Sequence, residues 1–286
     1  MGKSKLFGYL TAAIILVGCG RAPVPSTVDG GIAGFNFEPL SLGGCVVQTI
    51  TDQLKCVPGL TFTEITGDPT TPAGYRRFDL QFEQPVDHAL PRGTKFKQKL
   101  VLMHKAEAEP LILQTSGYAI FRVSLSAVAR QFGANQIQVE HRFFDTSVPA
   151  DKDWTKLDIR QSAADFHRIT LAFRQIYTGK WLNTGASKGG MTSVYHRRFF
   201  PSDLDGTLAY VAPLSFSTED ERYVTFVDQA GGARWAACRT QLADLQKGLL
   251  EHRSEIVPNL GGTYQQLGSA SVAFEHSIIE LPFAFW

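Results

Sequence analysis

The stretch KWLNTGASKGGMTSVYHRRFF, residues 180–200, decides how this chain folds. It opens on a short apolar run, passes through Gly185-Ala186-Ser187-Lys188-Gly189-Gly190 and leaves with helix-forming residues. A Gly-x-Ser-x-Gly turn between a strand and a helix lifts the serine hydroxyl to the top of a sheet, and its glycines let the sharp turn close against its neighbours. The free N–H groups at the start of the following helix favour a developing anion there. Glycine and serine are common, so the motif alone is a weak signal. The strand before it and the helix after it make Ser187 a candidate nucleophile rather than part of a plain tight turn.

The flanking sequence supplies the sheet. YRRFDLQFEQPV and KFKQKLVLMHK alternate apolar and polar residues as half-buried strands do, and PLILQT and NQIQVEH read as short buried strands. Strands are expected over 78–84, 96–104, 110–114, 137–141, 181–185 and 207–212, with helices near 122–132, 158–177 and 188–199. Two antiparallel strands followed by alternating strand and helix predict a doubly wound, mostly parallel α/β sheet. After Phe216 the pattern turns helical. A serine nucleophile needs two N–H donors for its oxyanion. One is expected from Lys188, the other from the loop after the third strand, at Gly117 or Tyr118.

A hydrophobic content of 44% argues for a folded core, and a net charge of +1 gives no electrostatic case for a nucleic-acid partner. No Cys/His spacing points to a metal, and no cofactor is expected. Residues 1–19 carry two lysines and a short apolar core that closes on LVGC. This matches a bacterial lipoprotein box, with Cys19 as the lipidated residue. The expectation is an exported protein in the bacterial cell envelope or outside it, touching membrane only through its lipid anchor. Residues 20–44, rich in Gly, Pro and Ser, read as a flexible tether. The folded core is expected over 45–216, and an incomplete helical cap over 217–286. Cys45 and Cys56 can bridge a small loop in an oxidising compartment, which leaves Cys238 odd.

Beyond these patterns the chain resembles the secreted bacterial tripeptidyl-aminopeptidase family of serine peptidases, α/β-hydrolases related to the lysosomal Pro-Xaa carboxypeptidases. The resemblance rests on FDLQFEQPVDH (78–88), VEHRFF (139–144), DWTKLDIRQSAADFHRI (153–169), residues 180–216 and FEHSIIELPFAFW (274–286). It implies an α/β-hydrolase fold, peptide substrates and an acyl-enzyme on Ser187 that releases short peptides from substrate N-termini. Glu140, His141 and Arg142 follow a strand at the carboxyl edge of the sheet. They are expected to brace the site through a buried ion pair, with Glu140 as an alternative partner for a peptide amine. His88 is expected in a turn. His167 is read as structural, and His196 to Arg198 as solvated or packed.

A serine nucleophile also needs a histidine base and an acid, which in this fold follow it in sequence. Downstream of Ser187 stand only His196, His252 and His276, none in the expected setting. The expectation is a sequence that lacks the acid, the base and the final strands, and is inactive by itself. An esterase or lipase of the same fold and a non-catalytic binding lipoprotein are the competing readings.

Overall fold

The structure is a computed structural model that describes residues 31–37, 40 and 48–286. Cys19 and Cys45 lie outside the described residues. The chain divides into two compact units, one through Pro213 and one from Leu214 to Trp286.

The first unit is built on a seven-stranded mixed sheet. Helix α1 (Ile50–Cys56) precedes β1 (Leu60–Ile65), β2 (Arg76–Pro85), β3 (Lys95–His104) and β4 (Leu111–Thr115). Then come α2 (Ala127–Phe132), β5 (Asn135–Val139), α3 (Ile159–Phe173), β6 (Trp181–Ala186), α4 (Lys188–Phe199) and β7 (Gly206–Tyr210). The strand order is β1-β2-β3-β5-β4-β6-β7. β1, β2, β3 and β5 pair antiparallel, while β5, β4, β6 and β7 run parallel. This is the expected α/β sheet, an α/β-hydrolase arrangement with antiparallel leading strands. Because β4, β5 and β6 are parallel, their carboxyl ends share one edge, where α/β sheets place their chemistry.

Alternation along the strands assigns the two faces. Leu111 and Leu113 of β4 join Phe78, Leu100, Ile137 and Trp181 in the core cluster packed against Phe166, Ile169 and Phe173 of α3. Ile112, between them, joins Val128 and Ala129 of α2 on the other face. Both faces being covered explains why β4 opens on the apolar run Leu-Ile-Leu, while the polar residues of β5 are buried and hydrogen-bonded. Asp158 caps α3 by accepting from the N–H groups of Arg160 and Gln161, and Gly133 ends α2 at φ 57°.

Three expectations change. Helix α2 begins at Ala127, not near 122, because the preceding carbonyls are captured by β5. Gln138 Nε2 donates to the Arg122 carbonyl at 3.0 Å and Gln136 Nε2 to that of Ser124 at 2.9 Å. Ser126 then N-caps α2 by accepting from the Ala129 N–H. Within the expected tether, residues 31–37 are not loose. Ile32 is buried among Ala163, Ala164 and Phe200, and Phe35 and Phe37 pack beside it. Strand β1 and helix α1 had not been anticipated.

The second unit is helical: α5 (Glu221–Gln229), α6 (Ala236–Glu251), α7 (Arg253–Ile256) and α8 (Ala270–Phe285). Leu242 of α6 and Ala273, Phe274 and Ile278 of α8 are buried, and Gln246 Nε2 donates to the Ile278 carbonyl at 2.6 Å. Cys238 carries a free thiol.

Candidate active site

Ser187 lies between β6 and α4, at the N-cap of the helix, with φ 53° and ψ −126°. A non-glycine residue at positive φ is strained, and such strain costs on the order of 1–3 kcal/mol. Two features hold it there. The Ser187 N–H donates to the Tyr210 carbonyl of β7 at 3.0 Å. The glycines around it let three backbones meet. A Cβ on Gly185 would sit 2.4 Å from the Gly189 carbonyl oxygen, and one on Gly189 would sit 2.5 Å from the Thr115 carbonyl oxygen. Thr115, the last residue of β4, donates to the Gly189 carbonyl at 2.6 Å and shares a 2.7 Å hydrogen bond with Ser193. The hydroxyl-bearing residue itself is exposed.

The loop after β4 meets the start of α4, where a second oxyanion donor is required. A Cβ on Gly117 would fall 2.6 Å from Lys188 Cβ and 2.7 Å from the Gly189 nitrogen. Only a glycine permits that approach. Among the described residues the backbone N–H groups of Tyr118 and Lys188 have no acceptor. Lys188 Nζ donates to the Gly117 carbonyl at 2.5 Å and stands over the rings of Tyr118 and Phe144, 5.1 and 4.8 Å from their centroids.

Glu140 is completely buried. Its Oε2 accepts from the Ile120 N–H at 3.2 Å, and its Oε1 from the hydroxyls of Ser147 at 2.8 Å and Thr146 at 3.1 Å. It ties the loop after β4 to the loop after β5, and its oxygens face these donors rather than an open surface where a peptide amine could meet them. His141 is buried beside it. Its Nδ1 donates to the Arg142 carbonyl at 2.9 Å, and its Nε2 therefore accepts from Ser162 Oγ at 3.0 Å. Burial, reinforced by the charge of Lys188, holds its pKa down at about 4.

Arg142 and Asp165 form the buried ion pair. Arg142 Nε and Nη2 donate to the two carboxylate oxygens at 2.7 Å each, and its other hydrogens go to the carbonyls of Val86, Lys156 and Pro85. Burial alone would raise the Asp165 pKa. The Arg142 cation and the His88 hydrogen bond outweigh it and leave the carboxyl below its ordinary value. His88 does sit in a turn, closed by the Leu90 N–H on the Asp87 carbonyl at 2.9 Å, but it is not a surface residue. It is wholly buried, its Nε2 lies 2.8 Å from Asp165 Oδ1, and Phe35 stacks on its ring. Desolvation holds its pKa down against the pull of Asp165. The sequence did contain a signal, since an acid on the apolar face of an amphipathic helix requires a buried partner.

His167 and His196 share Asp203: His167 Nδ1 is 2.9 Å and His196 Nε2 2.8 Å from Asp203 Oδ2. His196 is therefore packed rather than solvated. Ser187 Oγ makes no hydrogen bond among the described residues, and in the unit through Pro213 the histidines are held in the pairs above or, for His104, on the Tyr177 hydroxyl at 3.0 Å. His252, in the second unit, bonds Glu255 at 3.2 Å. Cys56 is disulfide-bonded. No cluster of metal-ligating side chains occurs among the described residues. Beside Lys188 lies a largely apolar cavity of about 170 Å³, lined by Leu157, Ile159, Met191 and Tyr195 with His141 and Ser162.

This geometry can present a serine and two backbone donors to an acyl group. The acetyl xylan esterase 1 of a Thermoanaerobacterium species is 16% identical, over 68% of this chain and 63% of that one, with a TM-score of 0.41. For lipase A of Candida antarctica the values are 14%, 68%, 50% and 0.37. These scores are too low to add to the architecture described above. The sequence relation is closer: the prolyl tri/tetrapeptidyl aminopeptidase of Streptomyces mobaraensis is 40% identical over 246 residues, 83% of this chain and 50% of that protein. The chain thus spans about half the length of the curated relative it matches. The model of the PS-10 peptidase S37 family matches residues 45–286, and the chain belongs to that family.

Proposed function

We propose that this chain carries the nucleophile half of an exported serine peptidase that releases short peptides from substrate N-termini. The observation that carries the reading is Ser187 at φ 53°, held on a strand-to-helix turn. Beside it the unpaired N–H groups of Tyr118 and Lys188 lie on two backbones packed in contact. In this mechanism Ser187 Oγ attacks the scissile carbonyl and gives its proton to a histidine. The two N–H groups hold the developing oxyanion. The leaving amine takes the proton back, and water then hydrolyses the acyl-enzyme. The apolar cavity beside Lys188 suits a proline ring or another apolar side chain next to the cut bond, as the relative's name implies. The base and acid are proposed to come from sequence beyond these 286 residues. Two facts support this: the chain spans half of its relative, and Ser187 Oγ bonds no histidine among the described residues.

The test compares this chain with a form extended to the length of the relative, on short peptides with free and blocked N-termini. The extended form should cleave only free N-termini, react with a fluorophosphonate at Ser187 and lose both properties on Ser187→Ala. Removing a base costs on the order of a million-fold in a serine protease, so the 286-residue form should be nearly inert. Ser187-dependent turnover by the short form would place the base within it, and turnover that survives Ser187→Ala would end the nucleophile reading. Export with lipidation at Cys19 is part of the same proposal. It fails if mass spectrometry finds a mature N-terminus elsewhere without lipid.

A further inference from the structure

We propose that the Lys188 side chain is a positioning residue, a clamp that turns the Tyr118 N–H toward the oxyanion position by gripping the Gly117 carbonyl. The role of that N–H rests on Ser187 being the nucleophile, but the clamp itself can be tested separately.

The argument is geometric. A trans peptide is planar, and its C=O and N–H point in opposite directions. The Gly117 carbonyl and the Tyr118 N–H belong to one peptide. When Lys188 Nζ takes that carbonyl at 2.5 Å, the N–H on the opposite side is turned away from the lysine and, as noted, finds no protein acceptor. A flipped peptide would present an oxygen to the oxyanion instead. Glycine at 117 makes such a flip easy, so something must prevent it. Beyond the grip on the carbonyl, two aromatic faces restrain the ammonium, Tyr118 from the clamped loop and Phe144 from the loop after β5. The two rings also meet edge to face at 5.4 Å. One side chain thus ties the helix behind Ser187 to both loops that shape the site.

The ammonium's surroundings are unusual for a lysine. No carboxylate pairs with it among the described residues, and burial alone lowers its pKa to about 8. The titratable groups that face it do not neutralise it. His141 is held neutral, Asp158 is engaged by the first N–H groups of α3, Tyr118 meets the ammonium through its ring face, and burial raises the pKa of Tyr195 on the same cavity wall. A cation kept there without a countercharge is electrostatically expensive, which fits a site where negative charge develops during reaction. Loss of its proton weakens both the hydrogen bond to the carbonyl and the attraction to the rings.

The test measures order in the loop directly. The Ile120 N–H donates to Glu140, and the His141 N–H donates to the Tyr118 carbonyl at 3.0 Å, so both amides report on it. Their hydrogen exchange, corrected for intrinsic rate, is followed from pH 6.5 to 9.5 in the wild type, Lys188→Met and Lys188→Arg. Protection in the wild type should fall several-fold as pH passes about 8. Lys188→Met should show the low protection at every pH, and Lys188→Arg the high protection throughout. Flat wild-type protection across this range, or Lys188→Met with unaltered protection, would overturn the clamp. If Lys188→Met fails to fold, the wild-type pH profile and Lys188→Arg decide. Fluorophosphonate labelling of the extended form provides the second arm: Lys188→Met should slow bond formation at least ten-fold with little change in reagent affinity. An extended wild type that is never labelled sinks the nucleophile reading, while exchange still judges the clamp.

Discussion

Asp165→Asn tests the buried charge network most directly. The substitution keeps the shape of the side chain but puts an amide where a carboxylate accepted two hydrogen bonds from Arg142 at 2.7 Å each and faced His88 at 2.8 Å. Arg142 is fully buried, with 0% relative exposure, and its remaining partners are neutral carbonyls. Its cation would be left without a countercharge, which costs about 3–5 kcal/mol when one partner of a buried pair is removed. A domain is stable by only about 5–15 kcal/mol, so much of that margin would go. With a urea slope of about 2 kcal/mol/M, the unfolding midpoint should fall by roughly 2 M. The measurement is urea unfolding followed by circular dichroism and tryptophan fluorescence. Arg142→Met should be comparably harmful, and Arg142→Met/Asp165→Leu much less so than the sum, because no unpaired charge remains. A loss below about 1 kcal/mol for Asp165→Asn, or strict additivity in the double variant, would refute the claim that this pair is a mutually dependent buried unit.

Gly185→Ala would place a Cβ 2.4 Å from the Gly189 carbonyl oxygen and 2.5 Å from Thr115 Oγ1, atoms that cannot move without opening the turn. It should destabilise by about 2–3 kcal/mol. Gly248→Ala in α6, where nothing lies within 4 Å, should instead stabilise by about 0.5–1 kcal/mol; thermal melting of both variants decides. His141 titrates near 6.5 when unfolded but at about 4 when folded. Between those values the unfolded chain binds the extra proton. The contribution of neutral His141 is therefore complete above pH 6.5 and lost as pH falls toward 4, on the order of 3 kcal/mol in all. Urea midpoints from pH 4 to 7 should show this slope, and His141→Asn should reduce it, leaving the part that His88 and His196, also held down by burial, contribute with the same sign.

The sheet was legible because its signal is local: alternation in β2 and β3, and short apolar runs in β4 and β6 bounded by glycine or proline. Strand β1 carried the same signal, since LTFTEI alternates, and could have been read. The Ser187 turn and the Gly117 loop were also legible, because only certain residue types tolerate such geometry. The histidine partners were legible only in part: Asp165 on the apolar face of α3 calls for a buried partner, but not for a particular one. His88 follows Pro-Val-Asp, which reads as a turn, and its burial is decided by Asp165 on α3 and by Phe35, both distant in sequence. The start of α2 was misplaced for a similar reason. Helical spacing in residues 122–126 competes with side-chain amides from β5, and nothing local reveals that competition.

The docking of residues 31–37 changes how far the folded body could stand from a membrane. With Cys19 lipidated, the leash is not the 25 residues of Gly20–Gly44, whose extended length would be about 85 Å. On the proposal that Cys19 is lipidated, it would be the twelve residues from Gly20 to Gly31, which could reach at most about 40 Å. A protein anchored on such a leash would sample only a shallow layer next to the bilayer. Its accessible substrates would be peptides that enter that layer, whatever their concentration farther away.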